Sequence, residues 1–146
     1  MRTINIILFS ALLLTGCSQR YFVVRHAEKG ISEARPSDPP LSIEGIKRAE
    51  ALQALLKDAG IRKIYATPTQ RAFLTAQPLS EALGIKTEAY GPLPDQNFLQ
   101  QLKAQKTNTL IVGHSNSVDD IVNGLVGSKQ MEDLQEHVYR NVYIIT

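Results

Sequence analysis

Short apolar runs separated by amphipathic stretches constrain this chain more than any other feature. Tyr21-Phe22-Val23-Val24 and Thr109-Leu110-Ile111-Val112 are too short for helices and lack polar alternation, the pattern of strands buried on both faces. Ile61 to Ala66 (IRKIYA) reads as another strand, Ile85 to Ala89 as a short edge strand and Val142 to Ile145 as the last. Between them, Ser42 can cap a helix starting at Ile43, with Glu44 in its first turn. Ile46, Ala49, Leu52, Ala54, Leu55 and Leu56 would form its apolar stripe, and Gly60 would stop it. Further helices are predicted from Gln70 to Leu83, closed by Gly84, from Phe98 to Ala104, and from Val118 to Val126. This alternation predicts an α/β fold: a three-layer sandwich with a mostly parallel central sheet flanked by helices. A proline-rich loop through Pro36, Pro39 and Pro40 follows the first strand; no repeat, low-complexity segment or interdomain linker is visible.

Composition narrows the function. With 43% hydrophobic residues among 146, the chain can build one real core, and a net charge of +2 is too small to argue for nucleic acid. The absence of tryptophan and the 6% aromatic content leave few platforms for stacking bases, so no nucleic-acid partner is expected. A single cysteine excludes an internal disulfide or a zinc site of several thiolates. That cysteine has a telling position. Arg2 precedes an apolar run, Ile4 to Leu14, which is shorter than the roughly 20 residues of a membrane span but fits a secretory signal. The run ends in Leu14-Thr15-Gly16-Cys17, which resembles a bacterial lipobox. The competing reading, a buried cysteine in an N-terminal helix, is opposed by Gly16 and the polar Ser18-Gln19-Arg20. The expectation is a signal peptide over residues 1–17, cleaved before a lipidated Cys17, and a domain over 21–146. It implies a lipoprotein of the bacterial cell envelope facing the periplasm, on the outer rather than the inner membrane, touching the membrane through its lipid anchor only.

Chemistry collects where the strands end, which is where α/β sheets place their ligand crevice. The first run leads into Arg25-His26-Ala27-Glu28-Lys29, the second into Thr67-Pro68-Thr69-Gln70-Arg71 and the third into Gly113-His114-Ser115-Asn116. Singly, each has a plain reading: a solvated loop pair, a surface helix charge, a capping histidine. Jointly, two histidines and two arginines converge beside helix N-termini, a combination suited to a phosphate dianion. His137, in the polar Gln135-Glu136-His137, reads as a surface residue. Two histidines without a carboxylate cluster make an incomplete metal site, so neither metal nor cofactor is expected.

These segments resemble a known family. Tyr21 to Glu28 (YFVVRHAE) is similar to the RHG-type signature of the histidine phosphatase superfamily, also called phosphoglycerate mutase-like, with Ala27 where glycine is common. Asp38 to Gly45 (DPPLSIEG) resembles its LTxxG helix start, Tyr65 to Ala76 its SxxxRAxxTA block, and Val112 to Asn116 its second-histidine motif. The resemblance runs in order from Tyr21 to Thr146 and implies a phosphoglycerate mutase-like fold. It implies His26 as nucleophile, with Arg25, Arg71 and His114 around the phosphoryl oxygens, and Thr67 and Ser115 adding hydrogen bonds. Flanking Arg25 and Arg71 are expected to keep the imidazole neutral by lowering its pKa. Many relatives take the leaving-group proton from a carboxylate on a longer insertion than this chain has, so Glu28 and Asp95 are the candidates here. Compact relatives acting on phosphohistidine or other good leaving groups can lack a strong acid. The function implied is a phosphomonoesterase working through phosphohistidine, with a phosphomutase or a non-catalytic phospho-ligand-binding lipoprotein as alternatives. Its partner would be a phosphorylated small molecule or a phospho-group on a larger substrate. The basic residues Lys29, Arg35, Lys47, Arg48, Arg62 and Lys63 are expected near the mouth of the site or on the first helix. Nothing in the sequence sets an oligomeric state.

Overall fold

Strands β1 (Tyr21–Arg25), β2 (Lys63–Ala66), β3 (Thr87–Ala89), β4 (Thr109–Gly113) and β5 (Val142–Ile145) form one sheet in the order β3-β2-β4-β1-β5. The chain is described by a computed structural model over residues 18–146; the expected signal peptide and Cys17 lie outside the described residues. β1, β2, β3 and β4 run parallel, while β5 pairs antiparallel with β1 at the edge. The connecting helices are α1 (Ile43–Leu56), α2 (Gln70–Leu83), α3 (Gln96–Gln105) and α4 (Val118–Val126).

Alternation along the strands builds two cores. Phe22, Val24, Ile64, Ala66, Leu110 and Val112 pack with Leu52 and Leu56 of α1 and Ala72, Ala76 and Leu79 of α2. Tyr21, Val23, Tyr65 and Ile111 pack instead with Phe98 and Leu102 of α3 and Val118 and Ile121 of α4. The expected α/β/α layering results, with each fully buried large aliphatic side chain contributing about 1.5–3 kcal/mol.

Helix ends explain the boundaries. Ser42 Oγ accepts from Gly45 N at 3.1 Å and caps α1, and Gly84 closes α2 in the left-handed region at φ 64°. α1 stops at Leu56 rather than at Gly60, which turns the following loop at φ 68°. Its buried face is also narrower than expected: Gly45, Ala49, Leu52 and Leu56 face inward, whereas Ile46 and Leu55 are 50% and 65% exposed. A helix with 3.6 residues per turn places those two on the flanks. Gly45 has a packing role, because a β-carbon there would collide with the Glu28 carbonyl. Its absence lets α1 press against the segment that succeeds β1, where Ser42 N donates to Glu28 O at 2.8 Å. After α4 the chain crosses back without regular structure through residues 127–141, tied by Leu134 N to Ser115 O at 2.8 Å, before entering β5.

Candidate active site

Parallel register does the first part of assembly. Arg25 sits opposite Gly113 at the ends of β1 and β4, so the next residues, His26 and His114, emerge side by side. Their rings lie 4.9 Å apart in an edge-on arrangement, and His26 N donates to Gly113 O at 2.8 Å. β2, on the other side of β4, leads into Thr67, whose Oγ1 shares a 2.9 Å hydrogen bond with His114 Nε2. Arg71, in the first turn of α2, places Nε 3.3 Å from His26 Nε2.

The tautomer of His26 is set by its neighbours. Nδ1 lies 2.7 Å from the Ala27 carbonyl, which can only accept, so Nδ1 carries the proton and Nε2 holds the lone pair. Arg71 donates toward that lone pair. Burial pushes the imidazole pKa down to about 3; His114, Arg71 and Arg25 push the same way and the Ala27 carbonyl opposes them. The arginines thus act as expected but rank behind burial. His114 is pushed down to about 4, again by burial first, then by Arg71 and Arg25, against Asp38. Both rings are neutral at pH 7.

The arginines are held differently. Arg71 Nη1 reaches Asp38 Oδ1 at 3.3 Å, and the same carboxylate accepts from Gln70 N at 2.9 and 3.0 Å. With Ala72 N donating to Thr69 Oγ1, much of the α2 N-terminus expected to be free for phosphate is already engaged. Arg25 is buried, and its Nη1 donates to the carbonyls of Gln135, Glu136 and Val138 at 3.1, 2.8 and 3.4 Å. Its guanidinium carbon stands 4.2 Å from the centre of the Tyr139 ring, its Nη2 lies 3.7 Å from the Glu136 carboxylate, and Nε has no protein partner. Nε is buried, and Nη2, at ion-pair distance from Glu136, is the donor without a hydrogen bond to the protein. Thr75 joins the two halves: its Oγ1 accepts from Ala27 N and donates to Arg71 O, both at 2.8 Å.

Arg25, His26, Thr67, Arg71, His114 and Ser115 all line one solvent-open cleft of about 640 Å³. Glu28 and Asp95 do not. Glu28 is engaged by Arg48, Nε to Oε2 at 2.7 Å, and that hydrogen bond holds its carboxyl below the usual carboxylate range. Asp95 caps α3, accepting from Phe98 N at 2.7 Å. Arg62 and Lys63 lie at the opposite edge of the sheet, before and at the start of β2, where Lys63 pairs with Glu88 at 2.8 Å. Sequence reasoning missed Asp38, Thr75, Glu136 and Tyr139. Asp38 and Thr75 stand inside the quoted motifs, whereas Glu136 and Tyr139 belong to an irregular segment that matches none of them and meets Arg25 through carbonyls, a carboxylate and a ring. Among the described residues, no group of three or more His, Cys, Asp or Glu converges as a metal centre would require.

Paired neutral histidines between guanidinium donors, at the carboxyl edge of a parallel sheet, define a phosphoryl-handling α/β protein. The sequence profile of the Histidine phosphatase superfamily (branch 1) matches residues 21–100, more than half of the chain, and the protein belongs to that superfamily. The match includes Arg25, His26 and Arg71; His114 lies beyond it and joins them in space. No curated protein sequence matches the chain. Solved structures share its fold. The protein histidine phosphatase SixA complexed with tungstate is 22% identical, with a TM-score of 0.58 over 72% of this chain and 75% of that one. A mycobacterial glucosyl-3-phosphoglycerate phosphatase is 14% identical, with a TM-score of 0.58 over 75% and 78%. A phosphoserine phosphatase from Entamoeba histolytica, in complex with 3-phosphoglyceric acid, is 16% identical, with a TM-score of 0.58 over 76% and 81%.

Proposed function

We propose that this protein is a cofactor-independent phosphomonoesterase that works through a phosphohistidine on His26, and that it is lipid-anchored at Cys17 and faces the periplasm. The observation that carries the catalytic reading is the fixed tautomer of His26, which leaves the lone pair on Nε2, where Arg71 Nε donates to it until a phosphoryl group takes that place. Nε2 attacks phosphorus as the bond to the leaving oxygen breaks. Arg71, the Arg25 guanidinium and neutral His114 stabilise charge on the transferring oxygens. With Glu28 and Asp95 committed elsewhere, the departing oxygen takes its proton from water in the open cleft. Water then attacks the phosphohistidine, the P–N bond breaks, the lone pair returns to Nε2, and phosphate and a proton leave. The same solvent access favours hydrolysis over a mutase, which must shield its phosphoenzyme from water.

Turnover of a generic aryl phosphate should be measured for the wild type and His26→Ala, with acid-labile phosphate trapped on the protein. Turnover and label in the wild type alone are expected. Equal rates in both proteins would refute the mechanism, and phosphate binding without turnover would leave a binding protein. For the anchor, fatty-acid labelling should mark the wild type and not Cys17→Ala. A label on neither removes the lipoprotein reading.

A further inference from the structure

Charge is mixed at the cleft edge of the sheet, where Arg25, Lys29 and Arg71 pair with Glu136 and Asp38, and one-sided at the edge opposite. Glu44, Asp95, Asp119 and Asp120 stand at helix starts on the cleft edge, complementing helix dipoles. At the other edge, where the parallel strands begin, lie Arg20, Lys57, Arg62, Lys86, Lys103 and Lys106, all exposed. Lys103 occupies the last turn of α3, and Lys57 and Lys106 are the C-cap residues of α1 and α3; dipole complementarity covers those three. Arg20, Arg62 and Lys86 precede strands and belong to no helix. None of the six forms an ion pair within the described residues, whereas Arg25, Lys29, Arg48, Lys63, Arg71 and Lys129 all do. The other unpaired cations, Arg35, Lys47 and Arg140, lie away from this edge. Asp58 and Glu81, the latter in the last turn of α2 near Lys86, are the exposed acids beside the six, and Glu88 is already paired with Lys63.

This is also the edge at which the described chain begins. Arg20 N donates to Asn108 Oδ1 at 2.9 Å, Thr109 N donates to Arg20 O at 3.0 Å, and Arg62 N donates to Asn108 O at 2.9 Å. Arg20 is thereby pinned to the body, with Ser18 and Gln19 between it and Cys17. Three residues span roughly 10 Å when extended, comparable to the Debye length of about 8 Å in physiological salt. The cleft opens past the far end of β1, whose five residues span about 16 Å.

We propose that this basic edge is a docking face for the anionic headgroups of the bilayer that holds the anchor. The cleft then points away from the membrane and takes phosphoesters from the aqueous phase rather than lipid phosphates of the same leaflet. The orientation rests on the anchor reading above; the docking face itself rests on the charge distribution.

The test is lysine acetylation read by mass spectrometry. The full chain is mixed with vesicles of phosphatidylethanolamine and phosphatidylglycerol, with vesicles of phosphatidylcholine, or with detergent alone. Lys57, Lys86, Lys103 and Lys106 should be protected roughly threefold or more on the anionic vesicles only, and less in high salt. Lys47 and Lys129 should react equally in all three. Lys57→Glu with Arg62→Glu and Lys106→Glu should abolish protection of Lys86 and Lys103 while leaving aryl phosphate turnover and melting unchanged. Equal reactivity on both vesicle types, or protection that includes Lys47 and Lys129, overturns the docking face. Phosphatidic acid placed in the anionic vesicles should be spared while soluble aryl phosphate is consumed; comparable hydrolysis of both overturns the orientation. Cys17 labelling without lysine protection would defeat the docking face alone. Protection without labelling would defeat the anchor alone, and protection without turnover would defeat only the phosphatase.

Discussion

Arg71 and Arg25 reach the same cleft from unlike supports. Arg71 rests on side chains, Asp38 on one side and His26 on the other, and keeps 17% of its side-chain surface exposed. Arg25 rests on main-chain carbonyls of a connection more than a hundred residues away, roofed by Tyr139, with 5% exposed. The first arrangement holds a guanidinium through side chains alone. The second makes the guanidinium part of the structure, joining β1 to the segment before β5, so that its charge is fixed before any ligand arrives.

Removing each arginine should separate the two roles. Arg25→Ala should have the largest effect, lowering kcat/KM by on the order of 100-fold or more and costing about 1–3 kcal/mol in thermal or urea unfolding, because it removes the hydrogen bonds that tie the 135–138 segment to β1. Arg71→Ala should lower kcat/KM by a similar factor, about 100- to 1000-fold, with a melting temperature close to wild type. Equal losses of stability in the two variants would break the distinction. Thr75→Val should fall between them, costing about 1–2 kcal/mol and reducing kcat more than KM, since Ala27 N loses its acceptor beside the nucleophile.

The smallest effect at neutral pH comes from the histidines between the arginines. His26 and His114, with pKa values pushed to about 3 and 4, should give no enzyme-derived acid limb near 6.5 in kcat/KM for a substrate that does not itself titrate there. Their folded values lie below the unfolded 6.5, so the unfolded chain binds protons first as pH falls. Their neutral burial should therefore cost nothing above pH 6.5, with stability declining from there toward pH 3–4. Melts across that range check the sign, and adding tungstate should flatten the decline if the oxyanion favours a protonated site.

Much of the site is legible because apolar runs mark strands, and parallel strands deliver their succeeding residues to one edge of the sheet. That logic places Arg25, His26, Thr67, Arg71, His114 and Ser115 together without any contact being known. It fails for groups whose partner is chosen by tertiary approach. Glu28 stands two residues from His26, yet its carboxylate meets Arg48 on α1. Asp95 carries a readable signal of its own, an acid immediately before a helix, which is a cap. Arg62 and Lys63 read as neighbours of the cleft only while the direction of the second strand is ignored.

Asp38 gives the geometry of the cleft a clock. It belongs to the loop between β1 and α1, where Ile31 is 96% exposed and the ties across the loop include Gly30 N to Pro40 O at 2.7 Å. The same carboxylate secures the first amide of α2 and the Arg71 guanidinium. Each opening of the loop would therefore release the start of α2 and Arg71 at once. The lifetime of the competent site is then the lifetime of that closed loop, a quantity that amide exchange at Gln70 would report directly.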